Sequence, residues 1–107
     1  MEFNKYQELA GRTRNQNGYY EELANYALGM VCEAGEAGDV LKKHIFHYHI
    51  LDEHDLRKEL GDVLWYIANI CNILEIPMSE IAELNISKLE ARYPGGFNAD
   101  KSINRID

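Results

Sequence analysis

The chain has 107 residues, 46% of them hydrophobic and 27% charged, which is enough for one globular domain with a modest core and too few for two. Eighteen acidic against eleven basic side chains give a net charge of −7, arguing against a nucleic-acid polymer as the main partner, because that binding draws on a basic face. No apolar run approaches the ~20 residues of a membrane span, so no membrane partner is expected.

Phe3, Tyr6, Leu9 and Ala10 share one side of a first helix predicted from Met1 to about Arg14. Asn15-Gln-Asn-Gly18 is a turn signal. A long second helix is predicted from about Glu21 to Phe46, with Leu23, Ala27, Met30, Ala34, Ala37, Leu41 and Ile45 as its core stripe. His47 to His54 reads as a connector, and Asp52 as the N-cap of a third helix opened by Glu53 and Asp55. That helix runs to about Leu74, with a stripe of Leu56, Leu60, Val63, Leu64, Ile67, Ile70, Cys71 and Leu74. Ile76-Pro77 breaks it, a fourth helix opens at Pro77 or Ser79 and runs to about Arg92, and Tyr93-Pro-Gly-Gly96 stops it. From about Pro94 to Asp107 the chain is a polar tail without a period. The expected fold is an all-α bundle of about four helices around two long antiparallel ones, in one domain over 1–107. Cys32 and Cys71 stand far apart and read as buried free thiols of a reducing compartment. The opening Met-Glu-Phe-Asn-Lys-Tyr shows no signal-peptide pattern, and the expected location is cytoplasmic.

Two similar tetrapeptides carry the chemistry. The second helix holds Glu33-Ala-Gly-Glu36 and the third Glu59-Leu-Gly-Asp62. At about 100° per residue, acids three apart leave the same side of a helix, and both pairs lie at the edge of an apolar stripe. Packing the stripes together brings four carboxylates towards one place. Glutamates at this spacing are most often a solvated face, but two matched pairs with a glycine before each second acid favour a site. A mid-helix glycine costs ~1 kcal/mol relative to alanine, so Gly35, Gly38 and Gly61 predict close approach of backbones or of a ligand. Converging carboxylates need a counter-charge, and an oxygen-only donor set suits Mg²⁺, with Mn²⁺ as a substitute. Asn85, Lys88 and Arg92 form a stripe on the fourth helix suited to phosphates, and Tyr66 and Asn69 continue the acidic side of the third. His44, His47, His49 and His54 match no compact helical metal site and are expected to make a polar connector.

These residues resemble a known family. The run Gly29-Met-Val-Cys-Glu33-Ala-Gly-Glu36-Ala-Gly-Asp39 is similar to the first motif of the MazG-like all-α nucleotide pyrophosphohydrolases. Glu59-Leu-Gly-Asp62-Val-Leu-Trp-Tyr66 resembles the second, and Asn85-Ile-Ser-Lys88-Leu with Arg92-Tyr-Pro94 the last. The resemblance implies Mg²⁺-dependent hydrolysis of a (deoxy)nucleoside triphosphate to the monophosphate and pyrophosphate, a nucleotide-pool cleaning activity, in a homodimer or homotetramer. It implies metal-holding and catalytic roles for Glu33, Glu36, Glu59 and Asp62, and substrate contacts from Asn85, Lys88 and Arg92; from their place on the third helix, Tyr66 and Asn69 are expected to position the sugar or phosphates. The first glutamate of the family's Glu-Glu-x-x-Glu is Cys32 here, which cannot act as a carboxylate base. Two rivals stand beside this reading. A di-iron carboxylate bundle would need Glu-x-x-His pairs, which neither motif has. A non-catalytic metal-binding helical interaction module would use the same acids without turnover. Tyr19, Tyr20, Trp65 and Phe97 are unranked candidates for contact with a base.

Overall fold

A computed structural model describes residues 1–105 and shows five helices: α1 (Phe3–Gly11), α2 (Tyr19–Phe46), α3 (Glu53–Leu74), α4 (Met78–Arg92) and α5 (Ala99–Ile103). The all-α expectation holds, and no strand forms among the described residues. None of their helices is long and apolar enough to cross a membrane.

Local chemistry sets the boundaries. Gly18 enters α2 at φ +130°, a backbone value that side chains disfavour, and this starts the helix at Tyr19, two residues before the expected Glu21. The Asp52 side chain accepts from the Asp55 amide at 3.0 Å, capping α3 as predicted, with Glu53 and Asp55 against the positive end of the helix dipole. Glu75 takes the left-handed conformation (φ 57°) that turns α3 off, and Pro77 then forms the N-cap of α4. α1 stops at Gly11, short of Arg14, and Thr13 folds back to donate from Oγ1 to the Ala10 carbonyl at 3.2 Å. The tail is not wholly irregular. The Asn98 side chain caps the five-residue α5, a local hydrogen bond that apolar periodicity does not reveal. The expected tail's last two residues, 106–107, lie outside the described residues.

α2 and α3 pack antiparallel along their lengths, α1 packs on α3, and α4 rests mainly on α1. The core is concentrated on the C-terminal half of α3: Ala68 and Cys71 with Ala10 and Met78, flanked by Tyr6, Trp65 and Ile67. A polar strap joins the same region. Asn69, fully buried, donates to the carbonyls of Ala10 and Trp65, each at 3.2 Å, and accepts from Asn72 at 3.0 Å. Asn72 also donates to the Gln7 carbonyl, and the Gln7 amide spans Ile76 O and Met78 N. Three helices are thereby pinned by side-chain amides whose polar atoms could not be buried otherwise.

Several expectations are corrected. The face that α2 turns inward carries Glu22, Tyr26, Gly29, Glu33 and Ala37, whereas Ala27, Ala34, Leu41 and Ile45 of the expected core stripe are exposed. On α3, Leu60 is 54% exposed. Cys32 is exposed and only Cys71 is buried, although both are free thiols. A Cβ on Gly35, Gly38 or Gly61 would meet nothing within 4 Å, so within one chain these glycines do not serve close helix approach.

The chain is also loose for its size. Its radius of gyration is 16.8 Å, where a compact domain of this length would measure about 13 Å. Its accessible surface is 7963 Å², where a compact monomer of 12.3 kDa would expose about 6,100 Å².

Candidate active site

Antiparallel packing sets the second and third turns of α3 beside the middle of α2. Carboxylate oxygens of Glu33, Glu59 and Asp62 come within 4.8 Å of one another. Glu36, one turn beyond Glu33, stands beside them, close enough for its charge to raise both Glu33 and Glu59. The structure therefore brings all four predicted acids together, three as a potential ligand set and the fourth alongside.

The electrostatics follow from the crowding. Glu59 is pushed up to about 7, first because its proton is held by hydrogen bonding to Glu33 and Glu36, then by burial and their negative charge. Glu33 is lowered by its hydrogen bond with Glu59, yet it ends above the ordinary carboxylate range because burial and the charges of Glu36 and Asp62 outweigh that bond. Glu33 Oε2 and Glu59 Oε2 are shielded from solvent, and as ionised acceptors they have no donor. A proton or a cation between these groups is needed to satisfy them. Two orphaned oxygens in an oxygen-only cluster fit a hard divalent cation such as Mg²⁺ or Mn²⁺.

Tyr66, one turn after Asp62, flanks the cluster. Its hydroxyl is raised above its usual value by burial first, then by the charges of Glu33 and Asp62. The ring lies on Gly29, where a Cβ would stand 2.3 Å from Cε1 and 2.4 Å from Cζ. Tyr26 and Trp65 fence it on other sides, with ring centroids 5.9 and 5.1 Å away. Tyr6 of α1 is also raised, by burial and then by the charge of Asp62.

The remaining predicted residues are placed differently. Asn69 is fully buried in the amide strap and does not open towards a ligand. Asn85 is exposed and lines an apolar groove with Phe3, Ile67, Met78 and Ile81. Lys88 is exposed, and the half-buried Arg92 sets its guanidinium 5.8 Å from the centre of the Tyr93 ring. Both cations ride on α4, whose main packing is against α1 and not α2. In the connector, His44 Nδ1 lies 2.8 Å from the His49 carbonyl, and among the described residues no group of histidines gathers three metal-ligating atoms. Gly29, Tyr26 and Tyr6 were not among the expected site residues, although Tyr6 stood on the apolar side of α1 and Gly29 opened the first motif. A signal for Gly29 existed: it stands four residues before Glu33, as Tyr66 stands four after Asp62, so an antiparallel register brings them together.

The family description "MazG nucleotide pyrophosphohydrolase domain" matches residues 21–97. Gene 37 protein of Mycobacterium phage L5 is 36% identical over 89 residues, covering 79% of this chain and 78% of that protein. No solved structure matches. With the acidic motifs of α2 and α3 and all of α4 inside the matched span, the chain belongs to the MazG nucleotide pyrophosphohydrolase domain family.

Proposed function

We propose that this chain hydrolyses a (deoxy)nucleoside triphosphate, with water, to the monophosphate and pyrophosphate, in a Mg²⁺-dependent reaction that clears the cytoplasmic nucleotide pool. The observation that carries the reading is the convergence of Glu33, Glu59 and Asp62 with two shielded oxygens that lack a donor. These three acids would hold the cation. Bound there, Mg²⁺ would neutralise phosphate charge and make a ligated water more acidic. Glu36, beside the three, is the carboxylate left to accept a proton from the attacking water as the bond from the α-phosphorus to the pyrophosphate oxygen breaks. Lys88 and Arg92 pair with phosphate oxygens that the cation leaves uncovered, Arg92 through its planar fork. Tyr66 and Asn85 contact the substrate. Asn69 acts one step back, by fixing α3 against α1.

The reading includes a homo-oligomer, a dimer or tetramer. The chain exposes about 1,900 Å² more surface than a compact monomer would, or about 3,700 Å² over two chains, a total in the range that obligate homodimers bury. The outward face of α2 supports it, with Leu28 67% and Val31 65% exposed near the open Gly35 and Gly38.

Pyrophosphate release from a panel of nucleoside triphosphates, with Mg²⁺ and with EDTA, tests the activity. Glu36→Gln and Asp62→Asn should abolish turnover while circular dichroism stays helical. Wild-type rates in either variant at saturating Mg²⁺ would refute the site. Mn²⁺ binding without release from any nucleotide would favour the non-catalytic module instead.

A further inference from the structure

We propose that Gly29 is a positioning residue: the notch it leaves in α2 seats the Tyr66 ring between the helices and so sets the separation of Glu33 from Asp62. The inference rests on the reading that the acidic cluster holds a cation. It adds a determinant that lies outside the cluster and carries no donor atom.

The register makes the case. Gly29 precedes Glu33 by one turn on α2, and Tyr66 follows Asp62 by one turn on α3. The ring is thus a spacer one turn from the acids on both helices. It fits only because position 29 has no side chain, since an added Cβ would overlap Cε1 and Cζ at 2.3 and 2.4 Å. Restoring ordinary contact requires a retreat of about 1 Å, which at a reacting centre costs on the order of 10²-fold. Two anchored rings narrow the sideways escape. Tyr26 is held by its hydroxyl donating to Asn15 O at 3.2 Å, and Trp65 by Nε1 donating to Thr13 Oγ1 at 2.8 Å. Both rings meet Tyr66 edge to face. What remains is for the helices to part or for the ring to swing towards the carboxylates, and either motion moves Glu33 relative to Asp62. Gly35, Gly38 and Gly61 have open space around them, and the crowding at Gly11 and Gly18 is against Asn72 and Glu21, so within α2 and α3 the effect is particular to position 29.

The test is Mn²⁺ titration without nucleotide, reading free Mn²⁺ by electron paramagnetic resonance, on wild type, Gly29→Ala, Tyr66→Ala and the double variant. Gly29→Ala should bind Mn²⁺ more weakly by about tenfold or more, as for other losses of groups that orient metal ligands. In the Tyr66→Ala background the same change should have no further effect, because the ring it displaces is gone. Wild-type affinity in Gly29→Ala, or losses that multiply in the double variant, would overturn the proposal while leaving the cation site standing. Absence of Mn²⁺ binding in wild type would overturn the site and this inference together. Should Gly29→Ala not fold, the double variant must fold and bind as Tyr66→Ala does; if it does not fold either, the notch serves something other than Tyr66 and the proposal fails.

Discussion

Replacing Asn69 by alanine separates the two roles that this residue could have. Its side chain makes three hydrogen bonds, to Ala10 O, to Trp65 O and from Asn72 Nδ2, at 3.0–3.2 Å, with no exposed surface. At about 1 kcal/mol net for each bond, the loss is about 3 kcal/mol. The Asn72 amide keeps its bond to Gln7 O, and the Ala10 carbonyl keeps that from Thr13 Oγ1, so neither is orphaned outright and the estimate stays near that figure. For a domain of this size the loss corresponds to a Tm lower by roughly 10–20 °C. Urea unfolding at fixed protein concentration should show a lower midpoint with an unchanged slope. Activity of the fraction still folded should be nearly intact. A stability change under about 1 kcal/mol, together with a much reduced kcat/KM, would refute the strap and return Asn69 to the substrate.

Three further outcomes are expected. Glu59 titrates near 7 in the folded chain against an ordinary 4.5, so its proton stabilises the fold below pH 4.5 and that contribution is lost as the pH rises through 7. In EDTA the Tm should therefore fall between pH 5 and pH 8, Mg²⁺ should restore it most at pH 8, and Glu59→Gln should flatten the slope; a Tm rising with pH in EDTA would contradict this. Lys88→Ala and Arg92→Ala should each lower kcat/KM by about 1–3 kcal/mol of transition-state stabilisation with Mn²⁺ affinity unchanged, and equal activity would make the α4 stripe a solvated face. Sedimentation at micromolar concentration should find a dimer or larger, and a clean 12.3 kDa species would refute the oligomer.

Helix positions, the Asp52 cap and the meeting of the four acids were legible because period, capping chemistry and spacing are local properties of the sequence. The inward face of α2 was not. Apolar periodicity reports burial without naming the partner, and Ala27, Ala34, Leu41 and Ile45 are apolar yet uncovered within one chain. The face that meets α3 instead carries Glu22 and Glu33, which hydropathy assigns to solvent. Glu22 is kept there by Arg14, whose Nε lies 3.2 Å from its Oε1, a pairing across eight residues that no helical spacing anticipates. Asn69 was misplaced for a related reason: an asparagine in line with acids reads as part of a site, and only tertiary contacts turn its amide towards α1.

The amide strap has a kinetic consequence. It and the buried core sit at one end of the α2–α3 pair, where Ala68, Asn69 and Cys71 meet α1 and the start of α4. The opposite end, from Leu41 through the histidine connector to Glu53, contains no buried residue. Opening free energies should therefore form a gradient, with amide protons near Asn69 exchanging only on global unfolding and those near Phe46 and Glu53 exchanging by fraying. The acids lie between the two regimes. A ligand that bridges α2 and α3 there would act as a second clasp, slowing exchange outwards along both helices towards the connector while leaving the strapped end as it was.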